Sequence, residues 1–181
     1  MKLGDVISFR TGKLNSNAAV ENGVYPFFTC SPEPSSIDTF AFDEDAVLLA
    51  GNNANGDFNV KRYTGKFNAY QRTYVITTKN GVDIEYLFYA LKLALNKFKQ
   101  MSQGTATKFL TAEILRNFEI DLPPLDEQIE IGRILRVLDE KIINNTKINH
   151  NLDSKFIRYC VAFYGSCGVC NAIVNLLNTG S

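Results

Sequence analysis

A long, regular spacing of apolar residues in the C-terminal third sets the strongest limit on the fold of this chain. Ile131, Leu135, Leu138, Ile142, Asn145, Asn149, Leu152 and Phe156 follow one another at spacings of 4-3-4-3-4-3-4, and six of these eight positions are apolar. That is a heptad seam, the pattern that keeps one narrow helical stripe turned toward a partner helix. A helix from Leu125 to Phe156 would run ~48 Å at a rise of 1.5 Å per residue, longer than a small domain needs. Asn145 and Asn149 are costly in an apolar seam, but such residues set register and partner choice. A helix packed along its own domain is the plainer alternative. The stripe is narrow and outlasts any domain beside it, so the spacing favours a partner helix. Pro123-Pro124 ends what precedes and opens the helix, because a proline in the first helical turn lacks only an N–H that would have no partner. Asp126 and Glu127 then sit at the positive end of the helix dipole.

The first eighty residues have another texture. Val24–Thr29, Ala46–Ala50, Asp57–Val60 and Arg72–Thr77 are short β-branched or aromatic runs punctuated by glycines and by Asn80-Gly81. They read as strands of one sheet. Asp83 suits an N-cap, and Ile84, Leu87, Phe88, Leu91, Leu95 and Phe98 form an apolar stripe at helical spacing. A polar loop follows over 99–110, then a helical turn at Ala112–Leu115 and a strand at Phe118–Leu122. The expected fold class is α+β: a twisted, partly irregular mixed β-sheet domain with flanking helices, followed by a long coiled-coil-forming helix. The expected division is 1–122 for the domain, 123–156 for the helix and 157–181 for a tail without a readable pattern.

Net charge is zero, from 19 basic and 19 acidic residues, which speaks mildly against a nucleic-acid binder. The distribution speaks the other way. Phe58 to Lys79 carries Lys61, Arg62, Lys66, Arg72 and Lys79 without an acid, while Asp43, Glu44 and Asp45 gather in an expected acidic loop. Segregated charge can hold phosphate even when the total cancels. An enzyme reading lacks a site. The single histidine, His150, falls on the long helix among asparagines and reads as an exposed helix residue. No phosphate-binding glycine loop or His-Glu-x2-His motif is present. The nuclease-like Asp-x-Lys spacings, Asp139/Lys141 and Asp153/Lys155, both fall on the helix. Cys167 and Cys170, with Cys160 and His150, could supply four zinc ligands, but a second well-spaced pair is missing, so no metal or other cofactor is expected. Four cysteines without a leader pattern argue against a disulfide framework, and without a long apolar run no membrane span is expected; a cytoplasmic setting follows.

The segment Leu122-Pro123-Pro124-Leu125-Asp126-Glu127-Gln128, followed by Ile131, Leu135, Leu138 and Ile142, resembles the junction between a target-recognition domain and a spacer helix in type I restriction-modification specificity subunits. Gly104-Thr105-Ala106-Thr107-Lys108 with Leu110-Thr111 is similar to the end of such a domain, and Lys2-Leu3-Gly4-Asp5-Val6 with Gly12 to its beginning. The likeness covers roughly residues 1–156. The resemblance implies a non-catalytic module that reads half of a split target in double-stranded DNA. It also implies a methyltransferase subunit as partner, with a restriction subunit joining through the complex. In that family two recognition domains are held apart by two antiparallel helices. This chain has one of each, so a homodimer on a palindromic split target, or a second specificity half, is implied. A coiled-coil interaction protein and a non-functional fragment are the competing readings; a stand-alone endonuclease is disfavoured by the missing site.

For the DNA contacts, Asn and Gln pair bidentately with adenine and Arg or Lys with guanine. The candidates are Asn52, Asn53 and Asn55 in a glycine-flanked loop, and Gln71-Arg72 beside Tyr70. Lys61, Arg62, Lys66 and Lys108 suit phosphate, which positions without specifying. Gly104, Thr105 and Thr107 offer N–H and hydroxyl groups to phosphate. For each of them an ordinary turn or surface role is the plain alternative.

Overall fold

The structure, a computed structural model, describes the backbone of residues 1–164, with side chains described except at 153, 154 and 156–164. In chain order the elements are α1 (Leu3–Val6), β1 (Ile7–Thr11), a 3-10 turn at Ser16–Ala18, β2 (Tyr25–Phe28), β3 (Ser35–Ile37), β4 (Phe42–Ala50), β5 (Asn52–Asn53), β6 (Val60–Ala69), β7 (Thr73–Thr78), α2 (Ile84–Met101), β8 (Lys108–Phe109), α3 (Ala112–Asn117) and α4 (Leu125–Tyr164). Six strands form one mixed sheet in the order β1-β7-β4-β6-β2-β3, and β5 pairs with β8 in a separate two-stranded ribbon. Neighbours in the large sheet are antiparallel except β2 and β6. The α+β fold with a mixed sheet and a long following helix agrees with the sequence.

Alternation along β4 divides the core, because successive side chains on a strand point to opposite faces. Val47 and Leu49 join Tyr74, Ile76, Leu87, Leu91 and Phe98 under α2, whereas Ala46 and Leu48 join Phe28, Tyr63, Phe67 and Val75 on the other face. The side chain of Asp83 accepts a 2.8 Å hydrogen bond from the Tyr86 amide, capping α2 as its sequence suggests. Thr111 caps α3 in the same way, its hydroxyl accepting from the Ile114 amide at 3.3 Å.

Several expected elements are displaced. Asp43, Glu44 and Asp45 are not a loop but the first half of β4, opposite Lys66, Gly65 and Thr64 of β6. Cations draw the acids into the sheet: Arg10 meets Glu44 at 2.5 Å and Arg62 meets Asp45 at 2.8 Å. The strand expected at Asp57–Val60 begins only at Val60 and runs on to Ala69. The Asn53 carboxamide oxygen accepts from the amides of Asn55 and Asp57, folding residues 53–57 into a turn instead. The strand expected at Phe118–Leu122 reduces to one bridge between Glu119 and Lys2, since only Met1 to Leu3 lies alongside to accept its ladder.

Residues Met1–Ile134 form one compact unit and a second begins at Leu135. In the first unit, Gln128 on the opening turns of α4 is 1% exposed. Its carboxamide oxygen accepts from the Asp83 amide at 2.9 Å, and its nitrogen donates to the carbonyls of Gly81 at 3.2 Å and Pro123 at 2.7 Å. A buried carboxamide is tolerated because its donors and acceptor are all used. In the second unit, the seam residues Leu138, Ile142, Asn145, Asn149 and Leu152 are exposed and Leu135 is half-buried. Ile131, the first seam residue, is also exposed and falls in the first unit. The Phe156 side chain and the cysteine-containing tail beyond Tyr164 lie outside the described residues, as does the Cys160 side chain.

Candidate nucleic-acid interface

The polar candidates fall into two groups that the sequence does not separate. The first is gathered where β4 hands over to β5, β7 begins, and β8 returns. Gly51 marks the crossing. Its amide donates to the Arg72 carbonyl at 2.7 Å, and its carbonyl accepts from the Leu110 amide at 2.9 Å. A Cβ there would sit 2.4 Å from the Arg72 oxygen, so the close approach requires glycine. Tyr74 strengthens the same junction by donating its phenol to the Leu110 carbonyl at 2.8 Å. Burial pushes this phenol above its ordinary pKa, with the charges of Arg116 and Arg72 acting against the rise.

Around this junction lies a cleft of about 360 Å³ whose lining includes Thr11, Gln71, Arg72, Gln103, Gly104 and Phe109. A second hollow, of about 370 Å³, is lined by Asn52, Asn53, Tyr70, Cys30, Ser31 and Ser16 among others. Arg72 is exposed, its guanidinium carbon lies 5.3 Å from the centre of the Phe109 ring, and no carboxylate among the described residues pairs with it. Asn52 accepts from the Cys30 thiol at 2.9 Å through Oδ1, which orients its carboxamide. Gln71 is also exposed, with its amide nitrogen donating to Asn15 Oδ1 at 2.7 Å. Gly104 takes φ +105°, and a Cβ there would meet the Thr107 carbonyl at 2.1 Å. This turn carries Thr105 exposed and Thr107 half-buried. Lys108 packs its stem beside Gly56, as does Lys99, whose ammonium meets Asp57 at 2.5 Å.

The second group, on β6, is engaged within the fold to differing degrees, Arg62 the most. Arg62 makes a two-pronged contact with Asp45, at 3.1 and 2.8 Å, and a further short contact with Glu85 of α2. Those bonds and charges hold the guanidinium above its ordinary pKa. Asp45 is held below its own: burial pushes it up, but the hydrogen bond and charge of Arg62 outweigh that. Three of the five N–H donors of Arg62 are therefore spent on joining β6 to β4 and to α2, a departure from the phosphate role that its place in an acid-free run suggests. Lys61 donates to the Ser31 carbonyl at 2.7 Å and Asn59 Oδ1 at 2.6 Å. Burial lowers its pKa, partly offset by Glu33 and Cys30. Lys66 is exposed and lies 4.7 Å over the Phe40 ring. Asn53 holds its own turn, and Asn55 is exposed on it.

Sequence reasoning missed Cys30, Gln103 and Phe109. Cys30 is distant in sequence and carries no motif. Gln103 and Phe109 lie in a loop read as uniformly polar, although Phe109 beside Lys108 is an aromatic–basic pair that could have been singled out. Among the described residues no group of three or more His, Cys, Asp or Glu is placed to hold a metal ion, and no helix is long and apolar enough to cross a membrane.

Comparison with known proteins gives one answer. Residues 1–154 match the family model described as the type I restriction modification DNA specificity domain. The specificity subunit of the EcoDI type I restriction enzyme of Escherichia coli is 42% identical over 138 residues, covering 76% of this chain and 30% of that protein. The MjaVIII specificity subunit of Methanocaldococcus jannaschii is 29% identical over 155 residues, covering 78% of this chain and 36% of its own. Among solved structures, a type I system S subunit from M. genitalium superposes with a TM-score of 0.72 at 19% identity, covering 90% of this chain and 45% of that one. The HsdS subunit of Thermoanaerobacter tengcongensis superposes with a TM-score of 0.59 at 18% identity, covering 82% and 39%. The chain thus spans about a third of these curated relatives and less than half of the solved chains.

Proposed function

This chain belongs to the type I restriction modification DNA specificity family, and from that premise we propose that it is a non-catalytic recognition module reading one half of a split target in double-stranded DNA. The observation that carries the reading is the gathering of Asn52, Gln71 and the unpaired Arg72 around open clefts at one junction of the fold. These are the side-chain types that read base edges. Lys61, Lys66, Lys108 and the turn of Gly104, Thr105 and Thr107 are the proposed phosphate contacts, with Arg62 holding β6 to α2.

Residues 1–122 would then be the recognition domain, 123–156 the spacer helix and 157–181 a tail. The exposed stripe of Leu138, Ile142 and Leu152 asks for cover. The proposed cover is a second helix of the same kind, antiparallel, from another copy of this chain or from a second specificity half. A methyltransferase subunit, with a restriction subunit joining through it, is the proposed larger assembly. The seam is equally suited to a plain coiled-coil interaction protein, and DNA binding separates the two readings. Fluorescence anisotropy of the whole chain with a labelled duplex should show binding whose log affinity falls linearly with log salt. Absence of binding at low salt would overturn the recognition reading and leave the coiled-coil one.

A further inference from the structure

The separate ribbon places three side chains in a row. Phe109 exchanges both backbone hydrogen bonds with Gln103, at 3.0 and 2.7 Å. On its other side it is paired with Asn52. There the flanking bond from the Leu110 amide to the Gly51 carbonyl makes 52–109 a non-hydrogen-bonded pair, the kind whose side chains stand closest. Directly opposed residues on antiparallel chains share a face. Asn52, Phe109 and Gln103 therefore stand side by side on one face, and the Arg72 guanidinium lies over the central ring at 5.3 Å. Alternation sends Lys108 to the opposite face.

We infer that this row is the base-reading strip of the domain: Arg72, steadied on Phe109, specifies a guanine, and the carboxamides of Asn52 and Gln103 specify an adenine on either side of it. The inference rests on the DNA-recognition reading and adds which bases are read and by what. The chemistry follows from the side chains. A guanidinium held over a ring keeps its N–H fork free, which suits the two acceptors of guanine. A carboxamide offers one donor and one acceptor, which suits adenine. The Cys30 thiol uses one lone pair of Asn52 Oδ1 and leaves the second for a base. Chains ~4.8 Å apart put the outer carboxamides ~10 Å apart, about three base steps at ~3.4 Å each. Gln71 is not part of the row, since its amide is held by Asn15.

The test is selection by the whole chain from a library of randomised duplexes, with sequencing of the bound fraction. Wild type should enrich a guanine with adenines on both sides in a window of about four base pairs, a size set by the strand spacing. Arg72→Ala removes the guanidinium altogether. It should lower discrimination at the guanine roughly 5- to 150-fold, the worth of one bidentate pair, while the salt slope stays unchanged, since a base contact neutralises no phosphate. Gln103→Ala, at an exposed position, should relax one adenine only, and Asn52→Ala the other. Thermal melts of each variant separate a lost contact from a lost fold. If wild type enriches no sequence, the recognition reading falls and takes the strip with it. If wild type is selective but lacks the central guanine, or keeps its preference in folded Arg72→Ala, Gln103→Ala and Asn52→Ala, the strip is overturned and the recognition reading stands.

Discussion

α2 and α4 carry the same kind of message in sequence and end in opposite situations. Each has an apolar stripe at helical spacing. In α2, Leu87, Leu91 and Phe98 are fully buried against the sheet. In α4, Leu138, Ile142 and Leu152 are 49%, 61% and 58% exposed. The pattern specifies a helix with one apolar side; it does not name what covers that side. For α2 the cover is the face of β4 and β7, brought there by the chain itself. For α4 beyond Leu135 none of the described residues supplies it, and scattered exposed apolar residues are ordinary whereas a continuous seam is not.

The comparison can be pressed by mutation. Phe98→Ala should lower unfolding free energy by about 3–5 kcal/mol, the usual cost of emptying a closed core site, read from urea melts. Leu138→Ala should change the melt of the dissociated chain by far less; equal costs would mean that the α4 stripe is already covered. Leu138→Lys with Ile142→Lys should convert an associated species into a monomer by light scattering at several concentrations, with the fold intact by circular dichroism. A dimer that survives would place the association on another surface.

Gln128→Ala sharpens the contrast inside α4, because its first turns, unlike its later ones, are tied down. It leaves the Asp83 amide and the Gly81 and Pro123 carbonyls, at half-buried or exposed residues, without this partner, at about 1–3 kcal/mol for each that water cannot reach, and chemical denaturation reads the sum. A smaller effect separates two arginines ten residues apart. Arg62→Ala should cost about 1–3 kcal/mol of stability, since its hydrogen bonds are to charged groups at a partly wet site. Arg72→Ala should leave the melt nearly unchanged and weaken DNA binding. The reverse pattern would exchange their roles. Smallest is a pH effect. Asp45 has a folded pKa below its unfolded one, so its stabilisation is fully present above about pH 4, its ordinary value, and is lost as pH falls through the lowered pKa. Acid melts of wild type should therefore fall more steeply below that pH than those of Asp45→Asn.

Much of the architecture was legible. Asp83 announces a helix start because capping is a local matter between a side chain and an amide three residues on. The two prolines before α4 act through their own missing N–H groups and are legible for the same reason. Reading failed where the partner was distant. The acids at 43–45 look like a loop until Arg10 and Arg62 are known to lie across from them. Arg62 looks like a phosphate contact until Asp45 and Glu85 occupy it. Gln103 has no local signature and Phe109 only its place beside Lys108, since their alignment with Asn52 depends on a ribbon that pairs residues 52–53 with 108–109.

The α+β class, both main helices, the seam and the family to which the chain belongs can all be read from the order of the residues. All of these rest on periodicity, capping or short contiguous motifs, which act within a few residues. Which basic residues remain available and which polar side chains stand together emerges on packing alone. Those outcomes depend on strand register, and register is settled by which faces bury, a property of the packed chain rather than of any one segment.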